Sequence, residues 1–255
     1  HVERIGEGAH GVVYRARRES DQATVALKVL RPEYAFDMEA LDRFSDELER
    51  MRAAQVPGVV PILEQHMDHS PPYLVMTHVD DARPLDAALS GASADRIARV
   101  FHALAQILEQ VHSRSIIHCD LKPQNVLIDC DDQPVLLDLG MAQLIESGDR
   151  SSVSHSPTDM GTPPYHAPEQ IRGQRLDGRT DVYCLGVMLY AVICGRLPFV
   201  GQSVYEIQDA HLHHDPPLPM TLRHDVHEGL QRIALKALEK QPEDRYASMR
   251  EMARD

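Results

Sequence analysis

The sequence predicts an α+β fold in which a small strand-rich part with one helix precedes a larger, mainly helical part. Three observations lead there. Between Val2 and Leu30 the apolar residues alternate at a period of two around a glycine-rich turn. From Met38 the apolar spacing lengthens to three and four residues. Beyond "DDARP" (Asp80 to Pro84) helical patterns dominate to the end. A chain of 255 residues, 43% apolar and 25% charged, can bury a substantial core.

Each element follows from its own pattern. "ERIGEGAHGVVYRARR" places apolar runs on either side of the glycines, as a hairpin does, and "ATVALKVL" (Ala23 to Leu30) is a third strand with a β-branched bias. Met38, Leu41, Phe44, Leu48 and Met51 form one face of an amphipathic helix. "YLVMTHV" (Tyr73 to Val79) reads as a further strand. Ile97, Val100, Phe101, Leu104, Leu108 and Val111 mark a long helix that Ser93 can N-cap. "NVLI" and "PVLLDL" make a small hairpin around "DCDDQ". A stretch of about thirty residues rich in Ser, Thr, Pro and Asp, from Gly140 to Pro168, has no periodicity, and such length is usually functional or disordered. "VYCLGVMLYAVICG" (Val182 to Gly195) is too short to span a bilayer and predicts a buried helix.

Bulk chemistry narrows the partners. A formal net charge of −13 argues against a nucleic-acid backbone as partner, which needs clustered Lys and Arg. Four cysteines (Cys119, Cys130, Cys184, Cys194) show neither a C-x-x-C pair nor zinc spacing, which predicts a reduced, cytoplasmic setting. "HLHHD" (His211, His213, His214) lacks a second ligand cluster and reads as a solvated loop after a helix rather than a metal site.

Four clusters carry candidate chemistry. Gly6, Gly8 and Gly11 spell G-x-G-x-x-G, but a dinucleotide site needs a helix next and "VVYRARR" continues as a strand. The glycines then form either a hairpin flap close over phosphates or a plain surface turn. Lys28 shares a strand face with Ala26, opposite Val25 and Leu27, and an inward lysine requires a partner such as Glu47. The other reading has Lys28 snorkelling and Glu47 solvated. "HCDLKPQN" brings Asp120, Lys122 and Asn125 together, and "LLDLG" supplies Asp138. Asp120, Asn125 and Asp138 offer hard oxygen ligands of the type Mg²⁺ takes beside phosphates, and Lys122 is a point charge suited to a transferred phosphoryl group. His118, a histidine beside an aspartate, reads either as a general base or as a packing residue.

With these residues in view the chain resembles the protein kinases, and more narrowly the bacterial Hanks-type serine/threonine kinases, along nearly its whole length. "GEGAHGVV" is similar to the glycine-rich loop, "VALK" to the phosphate-gripping lysine strand, and "RFSDE" to the helix that carries Glu47. "HCDLKPQN" is similar to the catalytic loop, "DLG" to the metal-binding D-F-G, and "GTPPYHAPE" to the end of the activation segment. "DVYCLG" is similar to a buried helix of the larger lobe, and "PEDRYAS" contains the arginine that pairs with Glu169.

The resemblance implies one bilobal domain over 1–255, with an N-lobe over about 1–76, a hinge over about 77–81 and a C-lobe over about 82–255. It implies a serine/threonine protein kinase that uses ATP and Mg²⁺, with Mn²⁺ as a substitute, acts on proteins and autophosphorylates. Asp120 takes or orients the hydroxyl proton, with Lys122 beside it, which leaves His118 a packing role, and Lys28 locked by Glu47 positions the nucleotide. Asn125 and Asp138 hold metal. The ATP site is formed by the loop Gly6, Glu7, Gly8, Ala9, His10, Gly11 and Val12. Ile5, Val13, Ala26 and Leu127 lie about the adenine, Met76 is the gatekeeper, and Thr77, His78 and Val79 offer backbone hydrogen bonds at the hinge. Thr162 faces the substrate, and Glu169 and Arg245 form a structural ion pair. Ser151, Ser152, Ser154, Ser156 and Thr158 are candidate phosphosites. The rival is a catalytically silent pseudokinase serving as a nucleotide-binding or scaffold module, which normally lacks one of Lys28, Asp120 or Asp138.

Three departures stand out. Cys119 replaces the arginine that usually precedes the catalytic aspartate and receives an activation-segment phosphate, so activity is expected to depend little on phosphorylation there. Leu139 replaces the D-F-G phenylalanine, and Thr77 a frequent hinge glutamate. The chain starts five residues before the glycine loop and stops inside the last expected helix. A domain excised from a longer chain, with a membrane anchor compatible with the missing flanks, is the expectation, with no membrane segment within this piece.

Overall fold

The computed structural model describes residues 2–8, 11–31, 48, 52, 55–137, 143–144 and 163–255. It divides into two compact units, His1–Asp81 and Ala82–Asp255.

The first unit is built on a five-stranded antiparallel sheet in the order β1-β2-β3-β5-β4. β1 (Val2–Gly8) and β2 (Gly11–Arg17) form the predicted hairpin, with Gly8 opposite Gly11. Gly11 is required by the sheet itself: a Cβ there would lie 2.1 Å from the carbonyl oxygen of Val29 on β3 (Thr24–Leu30). Along β3 the alternate residues Ala26, Lys28 and Leu30 are all buried, as a strand with one face inward requires. β5 (Tyr73–Thr77) ends two residues before the predicted Val79. β4 (Ile62–His66) was not apparent in the sequence, because all five of its residues are half-buried and no clean alternation appears. It pairs with β5, and His66 stacks on Tyr73 with ring centroids 4.5 Å apart. The amphipathic helix expected over Met38 to Met51 lies outside the described residues, except that Leu48 is helical and buried.

The second unit opens with β6 (Arg83–Pro84) and α1 (Leu85–Leu89), then the long helix α2 (Ala94–His112). Ser93 caps α2, its hydroxyl accepting from the Arg96 amide at 3.3 Å, and the predicted apolar face is buried. β7 (Ile116–Ile117) pairs with β10 (Gln143–Leu144). β8 (Val126–Ile128) and β9 (Pro134–Leu136) form the expected hairpin, joined by β6. α3 (Pro168–Ile171) leads to α4 (Gly178–Cys194), which starts ahead of the predicted Val182 because Asp177 caps it, accepting from the Arg179 amide at 2.8 Å. Gly195 ends α4 in the left-handed region at φ 70°. α5 (Val204–His213), α6 (Pro219–Leu222), α7 (Glu228–Ala237) and α8 (Met249–Arg254) complete the unit. Among the described residues no helix is long and apolar enough to cross a membrane.

One expectation is corrected. His211 and His213 belong to the last turn of α5 rather than to a solvated loop, and His211 is fully buried. The Tyr183 ring of α4 and the Phe199 ring cover it, so that one of the three histidines of "HLHHD" faces the core.

α4 is buried almost all round, and its closest neighbour is α7. A Cβ on Gly186 would stand 2.6 Å from the Cβ of Ala237. Gly186→Ala is therefore expected to lose about 1–3 kcal/mol to overpacking, outweighing the roughly 1 kcal/mol gained in helix propensity. Urea unfolding checks this, and Ala237→Gly in the same chain should recover part of the loss.

Candidate active site

The "HCDLKPQN" stretch, residues 118–125, follows β7, whose two isoleucines are buried. The chain then holds a conformation it would not choose alone. Cys119 has φ 63°, a left-handed setting that costs a side-chain-bearing residue about 1–2 kcal/mol. Hydrogen bonds on both of its backbone polar groups offset this. Its N–H donates to Asp181 Oδ1 at 3.0 Å, and its carbonyl accepts from Gln170 Nε2 at 2.7 Å. His118 is fully buried, and its amide donates to Asp181 Oδ2 at 2.9 Å. The Leu137 carbonyl 3.0 Å from His118 Nε2 can only accept, so the ring proton sits on Nε2. Nδ1 is then the acceptor for the Asp120 amide at 3.3 Å.

Asp120, Lys122 and Asn125 meet. Asp120 Oδ2 accepts from Lys122 Nζ at 2.7 Å and from Asn125 Nδ2 at 3.1 Å. Asn125 Nδ2 also reaches the Asp120 carbonyl at 2.8 Å. These contacts fix the asparagine amide and turn its Oδ1 into the oxygen left to accept or ligate. Pro123 opens the single 3-10 turn Pro123–Asn125 that brings Asn125 back toward Asp120.

Asp181, at the start of α4, has no exposure and accepts from the His118 and Cys119 amides and from His112 Nε2 at 2.7 Å. Burial opposes its ionisation most strongly. The His112 hydrogen bond, the electrostatic influence of the His112 and His118 rings and the backbone donor from His118 outweigh burial and hold the carboxyl below the usual carboxylate range. Its burial distinguishes it from a solvated helix cap.

The segment after residue 162 is anchored at successive points. The Pro164 carbonyl lies 3.1 Å from His211 Nε2, which must donate, so Tyr183 Oη donates to His211 Nδ1 at 2.9 Å. Burial, together with the Lys240 charge, lowers His211 to about 3. Glu169 and Arg245 form a buried bidentate pair at 2.8 and 2.9 Å. Thr180 Oγ1 donates to the same carboxylate, and Arg245 also donates to the carbonyls of Arg179, Glu239 and Lys240. Gln170 Oε1 accepts from the Ala167 amide at 2.9 Å.

In the first unit, register pairs Val13 with Lys28 and Ala26 with Met76. Val13, Ala26, Lys28 and Met76 therefore share one face of the sheet. Ile5 is 48% exposed, beside the irregularity between Arg4 and Gly6. Gly6, Glu7, Gly8, Gly11 and Val12 lie on β1 and β2, Thr77 ends β5, and His78 and Val79 follow it, His78 Nδ1 lying 2.9 Å from Asp80 Oδ1. Leu127 is on β8 of the second unit. Ala9, His10, Glu47, Asp138, Leu139, Thr162, Ser151, Ser152, Ser154, Ser156 and Thr158 lie outside the described residues.

Sequence inspection did not single out Asp181, His112, Gln170 or the role of His211. A signal existed for Asp181, an acid heading an otherwise apolar helix that must be paired if buried. For Gln170 there was none, since its two partners are backbone groups.

The chain matches the family model "Protein kinase domain" over residues 1–255. Similar curated proteins include serine/threonine-protein kinase Pkn1 of Myxococcus xanthus, 35% identical over 97% of this chain and 36% of the relative. PknB of Mycobacterium tuberculosis is 35% identical over 98% of this chain and 41% of the relative. The chain thus spans well under half the length of these relatives. Among solved structures, the PknI kinase domain of Mycobacterium tuberculosis matches with a TM-score of 0.71 at 26% identity, covering 99% of this chain and 91% of that one.

Asp181 generates a pH prediction. Its folded pKa is depressed, so its contribution to stability is present above the unfolded value of about 4 and is lost as pH falls through the folded value. Asp181→Asn, with one acceptor oxygen for three donors, should lose about 1–3 kcal/mol at neutral pH. Its denaturant midpoint should also fall less steeply than the wild type's on acidification below that value.

Proposed function

We propose, since this chain belongs to the protein kinase domain family and is of its serine/threonine type, that it transfers the γ-phosphoryl group of Mg-ATP to serine and threonine hydroxyls of proteins, its own included. The observation that carries this is the Asp120–Lys122–Asn125 cluster. With Oδ2 of Asp120 held by Lys122 and Asn125, Oδ1 would take the hydroxyl proton as the new O–P bond forms and the bond to the β-phosphate oxygen breaks. Lys122 offsets charge on the phosphoryl oxygens as a point charge.

Asn125 fits a hard cation, because its Nδ2 is spent on Asp120 and its Oδ1 is left over. With Asp138 it would hold Mg²⁺, or Mn²⁺ in its place. The bound metal supplies charge neutralisation on the phosphates. Lys28, with Glu47, would position the nucleotide phosphates, and Val13, Ala26 and Met76 on the same sheet face as Lys28 would carry the adenine with Ile5 and Leu127. Thr77 to Val79 would supply the hinge contacts. Thr162 would face the substrate hydroxyl, which supports Ser and Thr over Tyr as acceptors.

A net charge of −13 favours protein over nucleic-acid partners. Four cysteines, all free thiols, fit a cytoplasmic setting. The silent scaffold reading has no observation in its favour, since Lys28, Asp120, Asn125 and Asp138 are all present.

Two measurements test the proposal. Transfer of labelled γ-phosphate to the chain itself and to a basic protein should appear on Ser and Thr. It should drop by about 10²–10⁴-fold in Asp120→Asn with ATP binding unchanged. Absence of label from the wild type, with ATP still bound, would overturn it. Secondly, alanine at Ser151, Ser152, Ser154, Ser156 and Thr158 together should leave most of the rate, because Cys119 offers a phosphate neither charge nor fork.

A further inference from the structure

Gln170 stands between two segments that the chemistry must keep in step. Its own helix is immobilised, because the preceding Glu169 is held by Arg245 and Thr180 and the Gln170 amide donates to the Ala167 carbonyl at 3.0 Å. From there the side chain touches both sides. Oε1 accepts from the Ala167 N–H at 2.9 Å and Nε2 donates to the Cys119 carbonyl at 2.7 Å. Both partners are backbone groups of fixed polarity, so the amide has one permitted orientation. The buried Cys184 thiol adds a weaker donor to Oε1 at 3.7 Å.

The target of Nε2 is the peptide unit that joins Cys119 to Asp120. Asp181 holds the N–H side of Cys119 and Gln170 holds its carbonyl side, and between them Cys119 keeps φ 63°. Without the carbonyl tie, Cys119 is released toward ordinary φ, the 119–120 peptide turns, and the Asp120 carboxylate turns with it.

The geometry points to Gln170 as a positioning residue that couples the substrate-side segment to the catalytic loop through backbone atoms, in place of a phosphate received by a side chain at position 119. This rests on the phosphoryl-transfer reading. A glutamine that merely capped α3 would bear on stability and leave turnover alone.

The experiment compares wild type, Gln170→Met and Gln170→Glu in transfer of labelled phosphate from Mg-ATP to myelin basic protein, recording kcat, KM for ATP and the unfolding midpoint. Met keeps the length and removes both hydrogen bonds. Glu keeps the acceptor for Ala167 and sets an anionic oxygen against the Cys119 carbonyl. Both should lower kcat by about 10–100-fold, the cost of misplacing a reacting group by around an ångström, with KM for ATP unchanged. The Glu variant should regain rate relative to wild type as pH falls, because a protonated carboxyl can donate to Cys119. Cys184 and the Asp181, Glu169 and Arg245 charges that act on it are common to both proteins, so the ratio isolates the new carboxyl. Wild-type kcat in Gln170→Glu at neutral pH, or a loss that pH does not relieve, overturns the inference, and Gln170→Glu decides alone if Gln170→Met does not fold. A wild type that transfers no label overturns the kinase proposal itself and this inference with it, and that outcome is recognised before any variant is measured.

Discussion

The second unit depends on one buried carboxylate. Asp181 is fully enclosed and ionised, a state that is expensive unless every lone pair is engaged. Its donors are two successive main-chain amides of the catalytic loop and the His112 ring at the end of α2. The most buried helix, the longest helix and the loop that bears Asp120 are thereby referred to a single point. The loop does not select its own conformation. It is held from the core.

A second buried charge pair does for the substrate-side segment what Asp181 does for the loop. Arg245 spends its donors on Glu169 and on three carbonyls, and Thr180, one residue before Asp181, completes the Glu169 carboxylate. Removing one member would strand the other in the interior, the outcome that makes buried pairs costly to break. Thr180 and Asp181 are neighbours on α4, so its first turn fixes both segments. Tyr183, one turn further along, supports Pro164 through His211. The heavily apolar helix seen in the sequence is also the frame on which the polar machinery hangs.

That frame was half legible beforehand. The period-two and period-3.6 patterns identified the hairpin, β3, α2 and α4, because each has a face or a whole surface in the core. β4 was illegible since an edge strand with five half-buried residues carries no alternation. Asp120, Lys122 and Asn125 stood out from their crowding in one short stretch and the Glu169–Arg245 pair followed from the family resemblance, and the structure places the first three within hydrogen-bonding reach and the last two in an ion pair. Gln170 and the role of His211 could not be read, and Asp181 showed only as an acid heading an apolar helix, with its partners unnamed. Their partners are main-chain groups or rings distant in sequence, and nothing in a neighbouring residue type announces a hydrogen bond to a carbonyl fifty positions away. His211 misled outright, because histidine-rich text resembles surface while one of its three rings fills the core.

The two ties on Cys119 reach its amide and its carbonyl, so the loop's shape makes few demands on the side chain between them. What position 119 must supply is willingness to sit at positive φ, and there Asn and Asp are more at ease than cysteine. A change of side chain at 119 would leave both backbone ties standing, so a charge could be placed beside Asp120 or removed with the aspartate kept in place. Sensitivity to an external signal can then be gained or lost at this site by a single codon change, separately from the chemistry next door.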